Sequence, residues 1–178
     1  AGNDVITLLA GRTAVAGNDN IQYGTASQGN DNIINFIGGA AASGGDQVEF
    51  DISAFGTGII DADGSAIADS SNVLLGTASG AAVTLGASAN VILFTTAYAS
   101  TAALITDAKA DITLSTATLR SGDFFAVWTD GTDAYISQIH IEEGASAVDG
   151  IATLASASGV TVTTFATLSN VSAGALVA

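Results

Sequence analysis

The chain has 178 residues, a formal net charge of −14, and no cysteine, proline or methionine. The absence of cysteine excludes disulfides, thiol nucleophiles and zinc–thiolate sites. Against 17 acids it has only three cations, Arg12, Lys109 and Arg120, so we expect no binding to nucleic acid or to an anionic membrane surface.

The apolar fraction of 48% is too high for a disordered acidic tail. No apolar run approaches the roughly 18 residues of a membrane-spanning helix. We therefore expect one domain, or a small domain with an appendage, and no membrane insertion. Because the chain starts at Ala1 and not at a methionine, we expect a processed product or a fragment of a longer protein.

A Gly-Asn-Asp-x-Ile repeat fills the first fifty residues. Its copies start at Gly2, Gly17 and Gly29, and a looser fourth copy, Gly-Gly-Asp-Gln-Val, starts at Gly44. The steps between these glycines are 15, 12 and 15 positions, so alternate copies are 27 positions apart. If each copy is a turn followed by a short strand, two successive copies complete one coil of a flattened helix. Copies one and three then stack on one edge of that helix, and copies two and four on the other.

The residue types of the repeat suit a stacked turn that holds a cation. Glycine permits a positive φ, and asparagine tolerates the left-handed backbone region. Stacking places Asp4 beside Asp31 and Asp19 beside Asp46, where the carboxylates repel unless a cation such as Ca²⁺ lies between them. The alternative is that Gly-Asn-Asp is only good turn chemistry between strands. The predicted calcium site residues are Gly2, Asn3, Asp4, Gly17, Asn18, Asp19, Gly29, Asn30, Asp31, Gly44 and Asp46. The aliphatic residues predicted to face the interior of the coil are Ile6, Ile21, Ile33 and Val48.

The repeat resembles the second half of the Gly-Gly-x-Gly-x-Asp-x-aliphatic-x nonapeptide of RTX (hemolysin-type) calcium-binding repeat proteins. The leading glycine pair of that family is replaced here by Ala14-Val15 and Ala26-Ser27, and the spacing differs from that of a nonapeptide. The resemblance implies a short parallel β-roll or β-helix of calcium-binding coils over residues 1–50, and type I secretion. The family also extends to bacterial surface-layer proteins.

Residues 51–178 are predicted to form a β-rich region with one helix. Alternation over Val48–Ile52 indicates a half-buried strand. Short apolar runs predict three further strands, at Asn72–Leu75, Ala82–Leu85 and Asn90–Thr96. Apolar residues at helical spacing, from Tyr98 through Ala102 and Ile105, predict the helix over 97–110. The acidic stretch 61–69 is no EF-hand loop, because Ala66 stands at the glycine position.

A hairpin is predicted over residues 123–142. The strand Asp123–Thr129 leads into Asp130-Gly131, a dipeptide typical of tight turns, and returns as Ala134–Glu142. Phe125, Val127 and Trp128 are expected to pair with Tyr135 and Ile139 across the two strands.

The last thirty or so residues lack lysine and arginine and end in Ala-Leu-Val-Ala. They resemble the uncleaved C-terminal secretion signal of type I exported proteins. An ordinary final strand around Val160–Thr164 explains the same pattern, so both interpretations stay open.

No constellation typical of an enzyme is present. His140 is the single histidine, and alternation places it opposite Ile139 and Ile141, on the solvent side of a strand. The sequence has no Gly-x-Ser-x-Gly elbow, no His-Glu-x-x-His helix and no Gly-x-x-x-x-Gly-Lys loop. Glu142 and Glu143 point to opposite faces of a strand, which is poor geometry for a carboxylate pair. We therefore expect no catalytic activity.

The sequence leaves more than one non-catalytic function open. The first is a secreted calcium-binding structural protein that folds on Ca²⁺ and self-assembles, as a homo-oligomer or polymer, in a bacterial surface layer, extracellular matrix or filament. The second is the C-terminal export and folding tail of a larger secreted enzyme or adhesin. A third is a carbohydrate-binding β-module that uses Trp128 and Tyr135. The first two place the chain outside the cell or at its surface.

Overall fold

The computed structural model describes residues 2–8, 19–24, 29–38, 45–51, 55, 83–85, 91–114, 121–143 and 157–171. Several predicted features lie outside these residues. They are Gly17, Asn18, Gly44, Ile52, the acidic stretch 61–69, the strand Asn72–Leu75 and the C-terminal residues 175–178.

Ten strands and one helix make up the described structure. In chain order they are β1 (Val5–Thr7), β2 (Asn20–Tyr23), β3 (Asp31–Ile34), β4 (Gln47–Phe50), β5 (Val83–Leu85), β6 (Val91–Ala97), α1 (Thr101–Asp111), β7 (Ile112–Leu114), β8 (Ser121–Thr129), β9 (Ala134–Glu143) and β10 (Ala157–Leu168). The prediction of a mainly β chain is confirmed.

Six strands form one mixed sheet in the order β1-β3-β10-β9-β8-β6. In this sheet β1, β3 and β10 run parallel, and so do β6 and β8. β9 runs antiparallel to both β8 and β10. Two parallel pairs complete the described strands, β2 with β4 and β5 with β7.

The repeat strands pair at the spacing that the sequence predicts. β1 lies on β3 with Ile6 opposite Ile33, and β2 lies on β4 with Ile21 opposite Val48. Both pairs follow the 27-residue register, so alternate copies of the repeat stack as expected. We call residues 2–24 the first repeat unit and residues 29–50 the second repeat unit.

Two hydrophobic clusters cover the two faces of the six-stranded sheet. Phe124 and Phe125 are adjacent on β8 and are both fully buried, but they belong to different clusters because successive side chains on a strand point to opposite faces. The first cluster joins the sheet to Leu104 and Ala108 of α1. The second cluster joins the sheet to the repeat units, and it contains Ile33 with Ile6, Ile21 and Val48 packed against it. These four aliphatic residues therefore share one hydrophobic cluster, and that its centre is the interior of a coil stays a prediction.

Aromatic rings hold the β2–β4 pair against the large sheet. Phe50 stacks on Phe125 with ring centroids 4.2 Å apart, and Tyr23 contacts Phe165 at 5.0 Å. Phe55 meets the edge of Phe125 at 4.8 Å. The repeat units therefore share a sheet and a core with residues beyond position 50, and the boundary proposed there stays a prediction.

The helix α1 is confirmed, but it starts later than predicted. Ala97 ends β6, and the N–H of Tyr98 donates to the carbonyl of Thr129 at 2.8 Å, which holds this segment on the sheet. Ser100 caps the helix, since its Oγ accepts a hydrogen bond from the Ala103 N–H at 3.2 Å. The buried face uses Leu104 and Ala108, whereas Ala102 is exposed and Ile105 is only half-buried. The apolar spacing thus predicted the helix correctly but assigned Ala102 and Ile105 wrongly to its buried face.

The hairpin of β8 and β9 is confirmed, with a longer turn than a two-residue one. Thr129 pairs with Ala134, so four residues form the loop. Asp130 organises it by accepting hydrogen bonds from the N–H groups of Asp133 and Thr132 and from the Tyr135 hydroxyl, and these bonds lower the pKa of the Asp130 carboxyl. Across the strands, Trp128 stacks on Tyr135 as expected, with ring centroids 4.4 Å apart. Ile139 pairs with Phe124 and not with Phe125.

β10 occupies an inner position of the six-stranded sheet, between β3 and β9. The final-strand interpretation of residues 160–164 is therefore confirmed, and the secretion signal stays a prediction. Over the part of the chain that the structure describes, no helix is long and apolar enough to span a membrane.

Candidate site at the stacked repeat turns

The Asp31 turn lies directly beneath the Asp4 turn. Oδ1 of Asp31 accepts a hydrogen bond from the backbone N–H of Asp4 at 3.0 Å, and Oδ2 accepts one from the hydroxyl of Tyr23 at 3.2 Å. One residue later, the Asn32 N–H donates to the carbonyl of Asp4 at 2.8 Å. Asp31 is 7% exposed, so both carboxylate oxygens are satisfied inside the protein.

The Asp46 turn repeats this arrangement in the other pair of strands. Oδ1 of Asp46 accepts from the backbone N–H of Asp19 at 3.0 Å, and the Gln47 N–H donates to the Asp19 carbonyl at 2.8 Å. Oδ2 of Asp46 accepts from the N–H of Ile37 at 2.8 Å. Asp46 is 2% exposed.

These contacts correct the sequence argument about repulsion. Asp4 does lie beside Asp31, and Asp19 beside Asp46, as predicted. The carboxylate of the later aspartate, however, meets the backbone amide of the earlier one. An amide N–H carries a partial positive charge and donates to an ionised acceptor, which stabilises a buried carboxylate. In both stacked turns the later carboxylate therefore faces an amide N–H of the earlier aspartate.

Asparagine plays a different role from the predicted one. Neither Asn3 nor Asn30 has a positive φ. Instead Oδ1 of Asn3 accepts the Asn30 N–H at 3.0 Å, a second contact between the stacked turns. The left-handed conformation belongs to Gly29, whose φ is +98°, as the glycine argument predicts.

Burial and the neighbouring Asp31 carboxylate raise the pKa of the Tyr23 hydroxyl. Tyr23 is 2% exposed and therefore keeps its proton, which it donates to Asp31. This residue ties the first repeat unit to the second across the core, because it follows the second repeat copy whereas Asp31 belongs to the third.

The described atoms of these turns supply oxygen ligands but no cluster of three metal-binding side chains. They offer carboxylate, amide and carbonyl oxygens, the ligand chemistry of Ca²⁺. Both carboxylate oxygens of Asp31 and of Asp46 already accept protein hydrogen bonds. Within the described ranges, no group of three or more His, Asp or Glu side chains is placed to hold a metal ion. Asp4 is exposed and Asp19 is half-buried.

His140 lies on the side of β9 opposite Ile139 and Ile141, as predicted, where it is half-buried. Its Nδ1 is 2.9 Å from Oδ1 of Asp123, and its Nε2 is 3.3 Å from Oε1 of Glu142. Ile139 and Ile141 are fully buried on the opposite face. Partial burial lowers the pKa of His140, but the hydrogen bonds and charges of Asp123 and Glu142 outweigh it and raise the pKa overall.

Trp128 is a core residue and offers no sugar-binding platform. The side chain is 4% exposed, its ring is stacked on Tyr135, and its Nε1 donates to the buried Oγ of Ser137 at 3.0 Å.

Sequence reasoning missed the residues that complete the two turns. Tyr23 and the Ile37 amide supply the second hydrogen bond to Asp31 and Asp46. Two hydroxyls from the C-terminal part reach the repeat, with Thr167 donating to Asn30 at 3.2 Å and Ser169 to Asn32 at 2.7 Å. The sequence signal for Tyr23 was its place two residues after Ile21, on the same face of β2. The contacts at positions 167 and 169 span 137 residues and leave no local signal.

Comparisons with known proteins found no matching protein family, no matching curated protein and no matching solved structure.

Proposed function

We propose that the chain is a non-catalytic, secreted structural protein in which two successive Gly-Asn-Asp repeats form one coil of a short β-roll or β-helix. The observation that carries the proposal is the double 27-residue register, seen separately in β1 on β3 and in β2 on β4. Solenoids of this kind gain stability by stacking like units on one another, and their chemistry is that of packing and assembly.

Calcium binding is the second part of the proposal. A net charge of −14 opposes compaction, and the turns present only oxygen donors. An ion that binds only the folded chain stabilises it by RT ln(1 + [Ca]/Kd), so the high calcium outside a cell would favour folding after export. The hydrogen bonds of Asp31 and Asp46 hold the described turns without it, and calcium would add to this network.

Thermal unfolding followed by circular dichroism tests the calcium part. We expect Ca²⁺ to raise the unfolding temperature above its value in EDTA, and Mg²⁺ to raise it less. The calcium-induced shift should shrink in Asp31→Asn and persist in Asp69→Asn, which removes an acid outside the repeat. Equal unfolding temperatures in EDTA and Ca²⁺ would reject calcium binding and leave the stacked coils in place.

The coils serve one of two roles. The first is self-assembly into a surface layer, matrix or filament. The second is the C-terminal export and folding tail of a larger secreted enzyme or adhesin, and one observation favours it. β10 pairs with β3 on the side away from β1, so the C-terminal region covers one end of the repeat stack. Electron microscopy of the purified chain with Ca²⁺ separates the roles, since ordered sheets or filaments support assembly and persistent monomers support the tail.

A further inference from the structure

The two ends of the repeat stack differ in how well they are covered. β3 lies between β1 and β10, whereas β1 is the last strand of the six-stranded sheet at its end of the described structure. Ile33 is fully buried in the second unit, but its equivalent Ile6 is only half-buried in the first. Val5 next to it is 67% exposed, an unusual position for a large apolar side chain on an edge strand.

The glycines show the same difference more sharply. A Cβ atom on Gly29 would lie 2.3 Å from the carbonyl oxygen of Gly2 and 2.9 Å from Oδ1 of Asn3, so only glycine fits beneath the first unit. Gly2 is the equivalent residue 27 positions earlier, and no atom of the described structure lies within 4 Å of a Cβ placed there. Nothing among the described residues crowds the backbone at Gly2.

The aspartates follow the same pattern. The buried carboxylate of Asp31 caps the amide of Asp4 in the unit before it, and Asp46 does the same for Asp19. Asp4 has the same sequence context but is exposed. A strand laid on β1 in the same register would place its own aspartate amide over Asp4, its carbonyl over Gly2, and its apolar side chains over Ile6.

From these three observations we infer that the β1 edge is a docking surface for one more Gly-Asn-Asp repeat unit, parallel to β1 in the same 27-residue register and joined in tandem before residue 2. A tandem unit fits better than a second copy of this chain. In the parallel 27-residue register, a second copy would have to present the outer side of β3 to β1, and β10 already occupies that side in every copy. The inference rests on the stacked coils of the proposed function and is independent of calcium.

A tandem duplication tests this directly. Residues 2–28 are inserted once more in front of residue 2 of the full chain, and a second chain receives the same segment in scrambled order. We expect the repeated unit to raise the unfolding temperature by about 5 °C in a single transition, because it buries Ile6 and Val5. The scrambled unit should leave the unfolding temperature unchanged.

Gly2→Ala then tests the contact between the added repeat unit and the backbone at Gly2. In the unextended chain it should be silent, since the methyl group meets no described atom within 4 Å. In the extended chain, the same substitution at the junction glycine should abolish the gain, because the methyl group meets a carbonyl oxygen as it would at Gly29. A gain that survives Gly2→Ala, or no gain at all, would overturn the docking surface.

Two controls separate this inference from the proposal on which it rests. Gly29→Ala should destabilise both chains, and a silent Gly29→Ala would instead reject the stacked coils. Sedimentation of the unextended chain over a range of concentrations tests whether a second copy of the chain binds the β1 edge instead. A dimer that Val5→Lys abolishes would assign the edge to a second copy and refute the tandem unit, whereas a monomer at all concentrations supports it.

Discussion

The two stacked turns of the repeat begin with the same contacts and are completed by different ones. In each turn Oδ1 of the later aspartate accepts an amide N–H from the earlier one at 3.0 Å. The second oxygen of Asp31 faces the hydroxyl of Tyr23, whereas that of Asp46 faces the N–H of Ile37. A hydroxyl can donate or accept a hydrogen bond, but an amide N–H can only donate. Two aspartates that are equivalent in the sequence should therefore tolerate substitution differently.

The substitution of aspartate by asparagine gives the largest expected difference. An asparagine at position 46 would keep one acceptor, so one of two part-buried backbone N–H groups would lose its partner, and we expect Asp46→Asn to lower the free energy of unfolding by about 2 kcal/mol. At position 31 the new amide group can donate to the Tyr23 hydroxyl, so Asp31→Asn should cost less than about 1 kcal/mol. Urea denaturation of both variants in EDTA measures the difference.

The two variants are matched controls for each other, because each removes one negative charge and shortens no side chain. Equal losses would contradict the assignment of hydrogen bonds at the two turns.

Tyr23→Phe tests the partner that distinguishes the Asp31 turn. Removal of the hydroxyl leaves Oδ2 of a 7% exposed carboxylate without this donor, and we expect a loss of about 1 kcal/mol in the free energy of unfolding. Tyr135→Phe is the matched control, since its hydroxyl also donates to a carboxylate, that of Asp130, at an exposed turn where water can replace it. In the Asp31→Asn variant, Tyr23→Phe should change the free energy of unfolding by a different amount, because the two side chains contact each other. Additive effects of the two substitutions would contradict the contact.

The comparison also shows which features a sequence of this kind reveals. The 27-residue register followed from the positions of Gly2, Gly17, Gly29 and Gly44, because a repeated turn must stack on its own equivalent. The hairpin followed from alternation around Asp130, and the helix from apolar residues at helical spacing. These signals are local or periodic, and each needs only the residues that it concerns.

The features that the sequence did not reveal depend on distant residues. Reasoning from Asp4 and Asp31 placed their two carboxylates against each other, whereas the Asp31 carboxylate meets the Asp4 amide, because backbone amides are present everywhere and leave no mark in a sequence. The insertion of β10 beside β3 joins residues 166–168 to residues 31–33, and no periodicity links the two segments. The start of α1 was displaced because the Tyr98–Thr129 contact holds the preceding residues in the sheet.

The carboxylates of Asp123 and Glu142 differ from those of the repeat turns because their partner, the His140 side chain, is titratable. The pKa of His140 is raised in the folded chain, so its protonated form stabilises the fold below the unfolded pKa near 6.5, and this contribution is lost as the pH rises through the folded value. Because the side chain is 38% exposed and water screens the pair, we expect the free energy of unfolding to fall by only about 0.5 kcal/mol between pH 6 and pH 8, the smallest effect of the three predictions.

Urea denaturation at both pH values should show this decrease in the parent chain and not in His140→Gln. As the chain has one histidine, its NMR titration gives the folded pKa without ambiguity, and a value at or below 6.5 would contradict the pairing. A pH dependence that persists in His140→Gln would come from another group that titrates between pH 6 and pH 8, such as the α-amino group.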